Sequence, residues 1–138
     1  MMRSGGARAM MNVSEGRTHA PRILVVEDDS EMRGLLADEL LDEGYETYQA
    51  VDGEDAALKL AQDEFDLVIA DVIMPKMSGL DLLSMVRKAY PNTPVILITA
   101  FGDDQTHAEA KRLGAAGMID KPFEIPLLLS KARAILGS

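Results

Sequence analysis

Residues 67–75 read Leu67-Val68-Ile69-Ala70-Asp71-Val72-Ile73-Met74-Pro75, and the fold turns on how that stretch is taken. Four apolar residues in a row are too few for a helix and do not alternate with polar ones, which is how a strand covered on both faces reads. The run ends at Asp71, and Pro75 has no N–H to give to a strand ladder, so the chain must leave the sheet near it.

Working outward, the same kind of apolar run recurs at residues 23–26 (Ile-Leu-Val-Val) and 95–99 (Val-Ile-Leu-Ile-Thr). Weaker strands are expected at 46–50, polar enough for a sheet edge, and at 116–120. Between them lie amphipathic stretches. Met32, Leu35, Leu36 and Leu40 recur at helical spacing, with Ser30 as the expected N-cap and Gly44 as the stop. Further helices are expected at 53–64, with Ala57, Leu60 and Ala61 inward, at 78–89, at 104–113 and at 123–136, where Pro126 falls in the first turn. Five strands alternating with five helices through short loops call for an α/β fold, a parallel sheet with helices on both faces.

A chain of 138 residues suits one domain, and no apolar run approaches the ~20 residues that cross a bilayer. With no cysteine, disulfides, thiolate metal sites and cysteine nucleophiles are excluded. A formal charge of −9 argues against nucleic acid as a direct ligand. Arg3, Arg8, Arg17 and Arg22 against Glu15 leave the first 22 residues at +3, so the remainder carries −12. Residues 1–21 show neither helical nor strand period, the first 20 lack a continuous apolar stretch so that a secretory leader is not expected, and the segment is expected to be a disordered tail before a domain spanning 22–138. Met2, Met10 and Met11 leave the true start of synthesis open.

In open parallel sheets, ligands bind beyond the carboxyl ends of the strands, where strand order reverses. Just past the first, third, fourth and fifth strands stand Glu27-Asp28-Asp29, Asp71, Thr99 and Lys121. Clustered carboxylates repel unless a cation sits among them, and a hard divalent ion with oxygen ligands, Mg²⁺ above all, suits them. Asp71 is then the candidate nucleophile, able to form an acyl phosphate. Lys121 would balance the added charge and the Thr99 hydroxyl would donate to a phosphoryl oxygen. Each residue also has a structural alternative: a lone aspartate at a strand end is usually a cap, threonine is common in β-branched strands, and Lys121-Pro122 could be a surface turn. Their joint placement favours the chemical reading.

Four stretches carry a family resemblance: Ile23-Leu-Val-Val-Glu-Asp-Asp29, Asp71-Val-Ile-Met-Pro-Lys-Met-Ser-Gly79, Val95-Ile-Leu-Ile-Thr-Ala100 and Lys121-Pro-Phe123. From Arg22 onward the chain resembles the receiver domain of bacterial two-component response regulators. The resemblance implies a flavodoxin-like, doubly wound five-stranded sheet of order 2-1-3-4-5. It implies a cytoplasmic signalling module, not an enzyme, that takes a phosphoryl group on Asp71 from a histidine kinase or phosphotransfer protein. It also implies Asp28 and Asp71 as direct Mg²⁺ ligands, Glu27 as a ligand through water, the Ile73 backbone carbonyl as a further one, and a cis bond at Lys121-Pro122.

The sequence departs from the family pattern at Met118, where an aromatic ring usually moves with the threonine. The expectation is that Thr99 shifts toward the phosphate and Met118 repacks, its thioether filling the ring's space. Ile73 and Phe101, two after the Asp and two after the Thr, are apolar and cannot orient an attacking water, so a long-lived phosphorylated state is expected. The leading reading is a stand-alone receiver signalling to an unnamed downstream protein through residues 104–121 and the final helix, since only Gly137 and Ser138 follow that helix. The alternatives are a receiver cut from a longer regulator such as a transcriptional activator, an Asp-nucleophile phosphatase, disfavoured because Ile73 is not a second carboxylate, and a flavin module, disfavoured because no Ser/Thr-rich loop follows Val26.

Overall fold

The computed structural model describes residues 19–100 and 102–137; the expected tail falls outside them up to position 18, as does Phe101. Five strands and five helices alternate: β1 Arg22–Val26, α1 Ser30–Asp42, β2 Glu46–Ala50, α2 Gly53–Gln62, β3 Leu67–Asp71, α3 Gly79–Ala89, β4 Val95–Thr99, α4 Asp104–Arg112, β5 Gly117–Asp120 and α5 Ile125–Leu136. All pairings are parallel and the order across the sheet is β2-β1-β3-β4-β5. After β1 the chain goes to one edge and then returns past β1 to place β3, so the direction of winding reverses between β1 and β3. The register lines up Val26 with Ala50 and Ala70, Asp71 with Ile98, and Thr99 with Asp120. The carboxyl ends of β1, β3, β4 and β5 therefore share one edge of the molecule.

Strands β3 and β4 are buried at every position, as their unbroken apolar runs require. Successive side chains fall on opposite faces. Ile23, Val25, Ile69, Ile96, Ile98 and Ile119 meet α1 and α5 through Leu36, Leu40, Leu128 and Ala132. Leu24, Val68, Ala70 and Leu97 meet α2, α3 and α4 through Ala56, Leu60, Leu82, Leu83, Val86 and Ala110. Polar β2 lies at the edge, as expected.

Local chemistry sets the helix boundaries, and here three expectations are corrected. The N-cap of α1 is Asp29, whose carboxylate accepts from the Glu31 N–H, and Ser30 is already helical. In α2 it is Ala56 that faces the core with Leu60, while Ala57 is half-buried and Ala61 exposed. Asp52, Ser78 and Asp103 cap α2, α3 and α4 in the same side-chain-to-backbone manner. The helix expected from residue 123 begins at Ile125, with Pro126 in its first turn.

Gly79 marks a close approach of backbone to backbone near the site. Its N–H donates to the Val72 carbonyl at 2.8 Å, and a Cβ here would collide with the Asp71 carbonyl oxygen. Gly34, inside α1, would place a Cβ where nothing lies within 4 Å. Two alanine substitutions should therefore move stability in opposite directions. Gly79→Ala is expected to lose about 2 kcal/mol or more because backbone must shift. Gly34→Ala is expected to gain about 0.5–1 kcal/mol from helix propensity. Urea denaturation of the two variants beside wild type checks both signs.

Candidate functional site

Glu27 follows β1, Asp71 ends β3, Thr99 ends β4 and Lys121 follows β5. One ligand oxygen from each of Glu27, Asp28 and Asp71 can be chosen so that all lie within 4.8 Å of one another. Glu27 and Asp71 are buried (3% and 6% exposed), whereas Asp28 is open to solvent. The Lys121 ammonium donates to Asp71 Oδ2 at 2.7 Å and reaches Glu27 Oε1 at 3.4 Å. Asp71 Oδ1 accepts the Ile73 N–H at 3.0 Å, and Glu27 Oε2 accepts the Asp29 N–H at 3.2 Å.

Backbone positions these groups. The Lys121 N–H donates to the Thr99 carbonyl at 2.8 Å, and Lys121-Pro122 is a cis peptide bond. The long lysine stem starts beside β5 and carries its charge past β4 to Asp71. Thr99 is fully buried. By strand alternation Thr99 points to the α2–α4 face, the face on which Met118 packs, with Leu97 in register beside Met118. The Ile73 side chain is 56% exposed at the rim.

The electrostatics follow from burial. Removal from water pushes the Glu27 carboxyl up to about 7; the Asp71 charge adds to the rise, and the Asp29 N–H and Lys121 oppose it. For Lys121 burial favours the neutral amine, but the hydrogen bond and charge of Asp71, with Glu27 behind it, outweigh that and hold it above its ordinary value. A group of three carboxylates with one ammonium keeps an excess of negative charge. Its donors are all oxygens and one of them is open to water, which suits a hard dication that retains part of its hydration shell. Asp28 and Asp71 fit as ligands, with Glu27 close enough to act directly or through water.

Two features near the site escaped the sequence reading. Arg33, one turn into α1, donates to the Glu27 carbonyl at 2.7 Å and to Gln49 Oε1 at 3.2 Å, tying the ends of β1 and β2 together. Lys76 in the β3–α3 loop has a left-handed backbone, φ 71°. Arg33 was legible only as a charge on a polar helix face; the conformation of Lys76 left no trace, since neither glycine nor asparagine marks it. The cleft of about 620 Å³ lined by Asp63, Phe65, Asp66 and Tyr90 opens at the other end of the sheet, where Arg22 begins β1 and its N–H meets Asp66.

Comparison with known proteins points to one family. The family model described as response regulator receiver domain matches residues 23–133. The response regulator protein FleR of Pseudomonas aeruginosa is 48% identical over 120 residues, covering 86% of this chain and 25% of FleR. The transcriptional regulatory protein CpxR of Escherichia coli is 42% identical over 115 residues, covering 83% of this chain and 49% of CpxR. The chain thus spans between a quarter and a half of the length of these curated relatives. The crystal structure of response regulator protein TrrA from Thermotoga maritima, in complex with Mg²⁺-BeF, is 36% identical with a TM-score of 0.76, covering 83% of this chain and 98% of that one.

The carboxylate cluster generates a test that needs no phosphate. A cation bound only by the folded chain stabilises it by RT ln(1 + [L]/Kd), about 2.7 kcal/mol at a hundredfold excess over Kd. Millimolar Mg²⁺ is expected to raise the melting temperature of wild type, and most of that rise should vanish in Asp28→Asn. Differential scanning fluorimetry with and without the ion reads both, and an equal rise in the variant would place the ion elsewhere.

Proposed function

The chain belongs to the response regulator receiver domain family, and we propose that it accepts a phosphoryl group on Asp71 in a Mg²⁺-dependent reaction and signals by changing shape. The observation that carries this reading is the meeting of three carboxylates within 4.8 Å with Lys121 at 2.7 Å from Asp71. A nucleophilic carboxylate, a fixed ammonium and a place for a dication are the parts that in-line phosphoryl transfer needs.

In the proposed reaction, the donor is a phosphohistidine on a histidine kinase or phosphotransfer protein. An Asp71 oxygen attacks phosphorus, the P–O bond forms as the P–N bond breaks, and the departing imidazole keeps the bonding pair and takes up a proton. Lys121 stays beside Asp71 and balances charge on the phosphoryl oxygens, while the Thr99 hydroxyl donates to one of them. Asp28, Asp71 and the Ile73 carbonyl, with Glu27 through water, would hold a Mg²⁺, which would neutralise the phosphoryl charge. That TrrA, a relative at 36% identity, is in complex with Mg²⁺-BeF supports a Mg²⁺ site in this chain. The module takes one group per cycle and is a switch, not a turnover enzyme. Its output is then a repacking of Thr99 and Met118 toward a downstream protein. The name of CpxR, a transcriptional regulatory protein, favours a transcriptional end point, reached by a partner or by a longer chain.

Labelling from a small acyl-phosphate donor tests the assignment. Wild type with Mg²⁺ should take up one equivalent, Asp71→Asn none, and Lys121→Met should be slowed at least tenfold, since a charge-assisted contact to the phosphoryl group is lost. Label that persists in Asp71→Asn would overturn Asp71 as the acceptor. A second measurement concerns lifetime. Apolar, exposed Ile73 at the rim offers no polar group to hold a water in line with phosphorus, so Ile73→Asn should shed its label faster than wild type after donor removal. Slower loss in the variant would remove the shielding role.

A further inference from the structure

Lys76 holds a backbone conformation, φ 71°, that glycine adopts freely and that a residue with a Cβ is strained to keep. A turn of this shape alone would favour glycine, so the lysine side chain is the place to look for a reason. Its ammonium stands 3.7 Å from Asp52 Oδ2 and 3.6 Å from Glu54 Oε1. Asp52 is buried and divides its carboxylate: Oδ1 caps α2 through the Asp55 N–H at 2.8 Å, and Oδ2 faces the lysine. The next residue repeats the contact in apolar form. Met77 lies so close to Gly53 that a Cβ on the glycine would come 2.6 Å from the Met77 Cβ. Two consecutive residues of the β3–α3 loop are thus docked on the first turn of α2.

That loop starts at Asp71, and its Ile73 N–H donates to Asp71 Oδ1 at 3.0 Å. Resting on the phosphoacceptor reading above, we propose that Lys76 is a positioning residue for Asp71: its ion pairs with Asp52 and Glu54 anchor the loop to α2 and so fix the Ile73 peptide against the acceptor carboxylate. The backbone strain is tolerated because the anchor requires a long cationic side chain at this position of the turn.

The test separates positioning from plain structural support by setting stability against rate. The variants are Lys76→Gly, Lys76→Met, Lys76→Arg and Asp52→Asn, where asparagine keeps the α2 cap. Lys76→Gly relieves the strained φ and should have a urea midpoint no lower than wild type, yet take up label roughly three- to tenfold more slowly because the loop is less well placed. Lys76→Met should be slowed to the same degree, and Lys76→Arg should restore the wild-type rate. Asp52→Asn should also be slowed, and the Lys76→Met/Asp52→Asn double variant should be no slower than either single one. Wild-type rates in both Lys76→Gly and Lys76→Met would overturn the inference, as would rates that only follow stability. Faster labelling in Asp52→Asn would overturn it too, since an ammonium that merely attracts the anionic donor would gain by losing its partner. These outcomes bear on Lys76 alone if wild type is labelled. A wild type that takes up no label overturns the phosphoacceptor reading, and this inference with it.

Discussion

One ammonium between two buried carboxylates sets the terms for the rest of the molecule. Lys121 lies 2.7 Å from Asp71 and 3.4 Å from Glu27, and neither acid has water enough to be stable alone. Removing one partner from such an arrangement leaves a buried charge less well compensated, so the lysine and the two acids hold one another in place. Only a sheet in which β1 and β3 are neighbours puts the two acids side by side, and the order β2-β1-β3-β4-β5 does that. The lysine enters from beside β5, with β4 in between, and only a side chain of that length spans the gap.

The rest of the site is arranged about that charge group by backbone contacts. Gly79 butts α3 against the end of β3, the Thr99 carbonyl takes the Lys121 N–H, and Arg33 grips the carbonyl of Glu27. Pleat alternation also divides the site. Asp71 shares its face with the isoleucines that meet α1 and α5, while Thr99 and Met118 look toward α2–α4. Thr99, on the strand next to that of Asp71, thus faces the opposite layer.

Much of this was legible because β1, β3 and β4 are short, largely apolar runs and each candidate residue stands at or just past the end of a strand. Asp71 after Leu67–Ala70 and Lys121 after Ile119 and Asp120 needed no knowledge of packing to be placed on one edge. The failures are of a different kind. Asp29 and Ser30 are both good caps, and the choice between them depends on the Glu27 carboxylate accepting the Asp29 N–H, a contact of the site itself. In α2, a helix rich in alanine, the apolar stripe is ambiguous by one residue. Its rotation is set where Gly53 packs on Met77, a contact between segments far apart in sequence. The tie from Lys76 to Asp52 and Glu54 is hidden for the same reason.

The fully buried strands β3 and β4, with β1 beside them, have a cost outside the native state. Segments such as Leu-Val-Ile-Ala and Val-Ile-Leu-Ile combine high β-propensity with no charge, the composition that self-associates when a chain is left unfolded. In the native sheet they occupy the interior, and the outer positions go to β2, with Glu46 paired to Arg22, and to the four-residue β5. The order that assembles the acidic site is thereby also the order that keeps the stickiest strands away from the rims, so chemistry and protection from aggregation are served by a single winding of the chain.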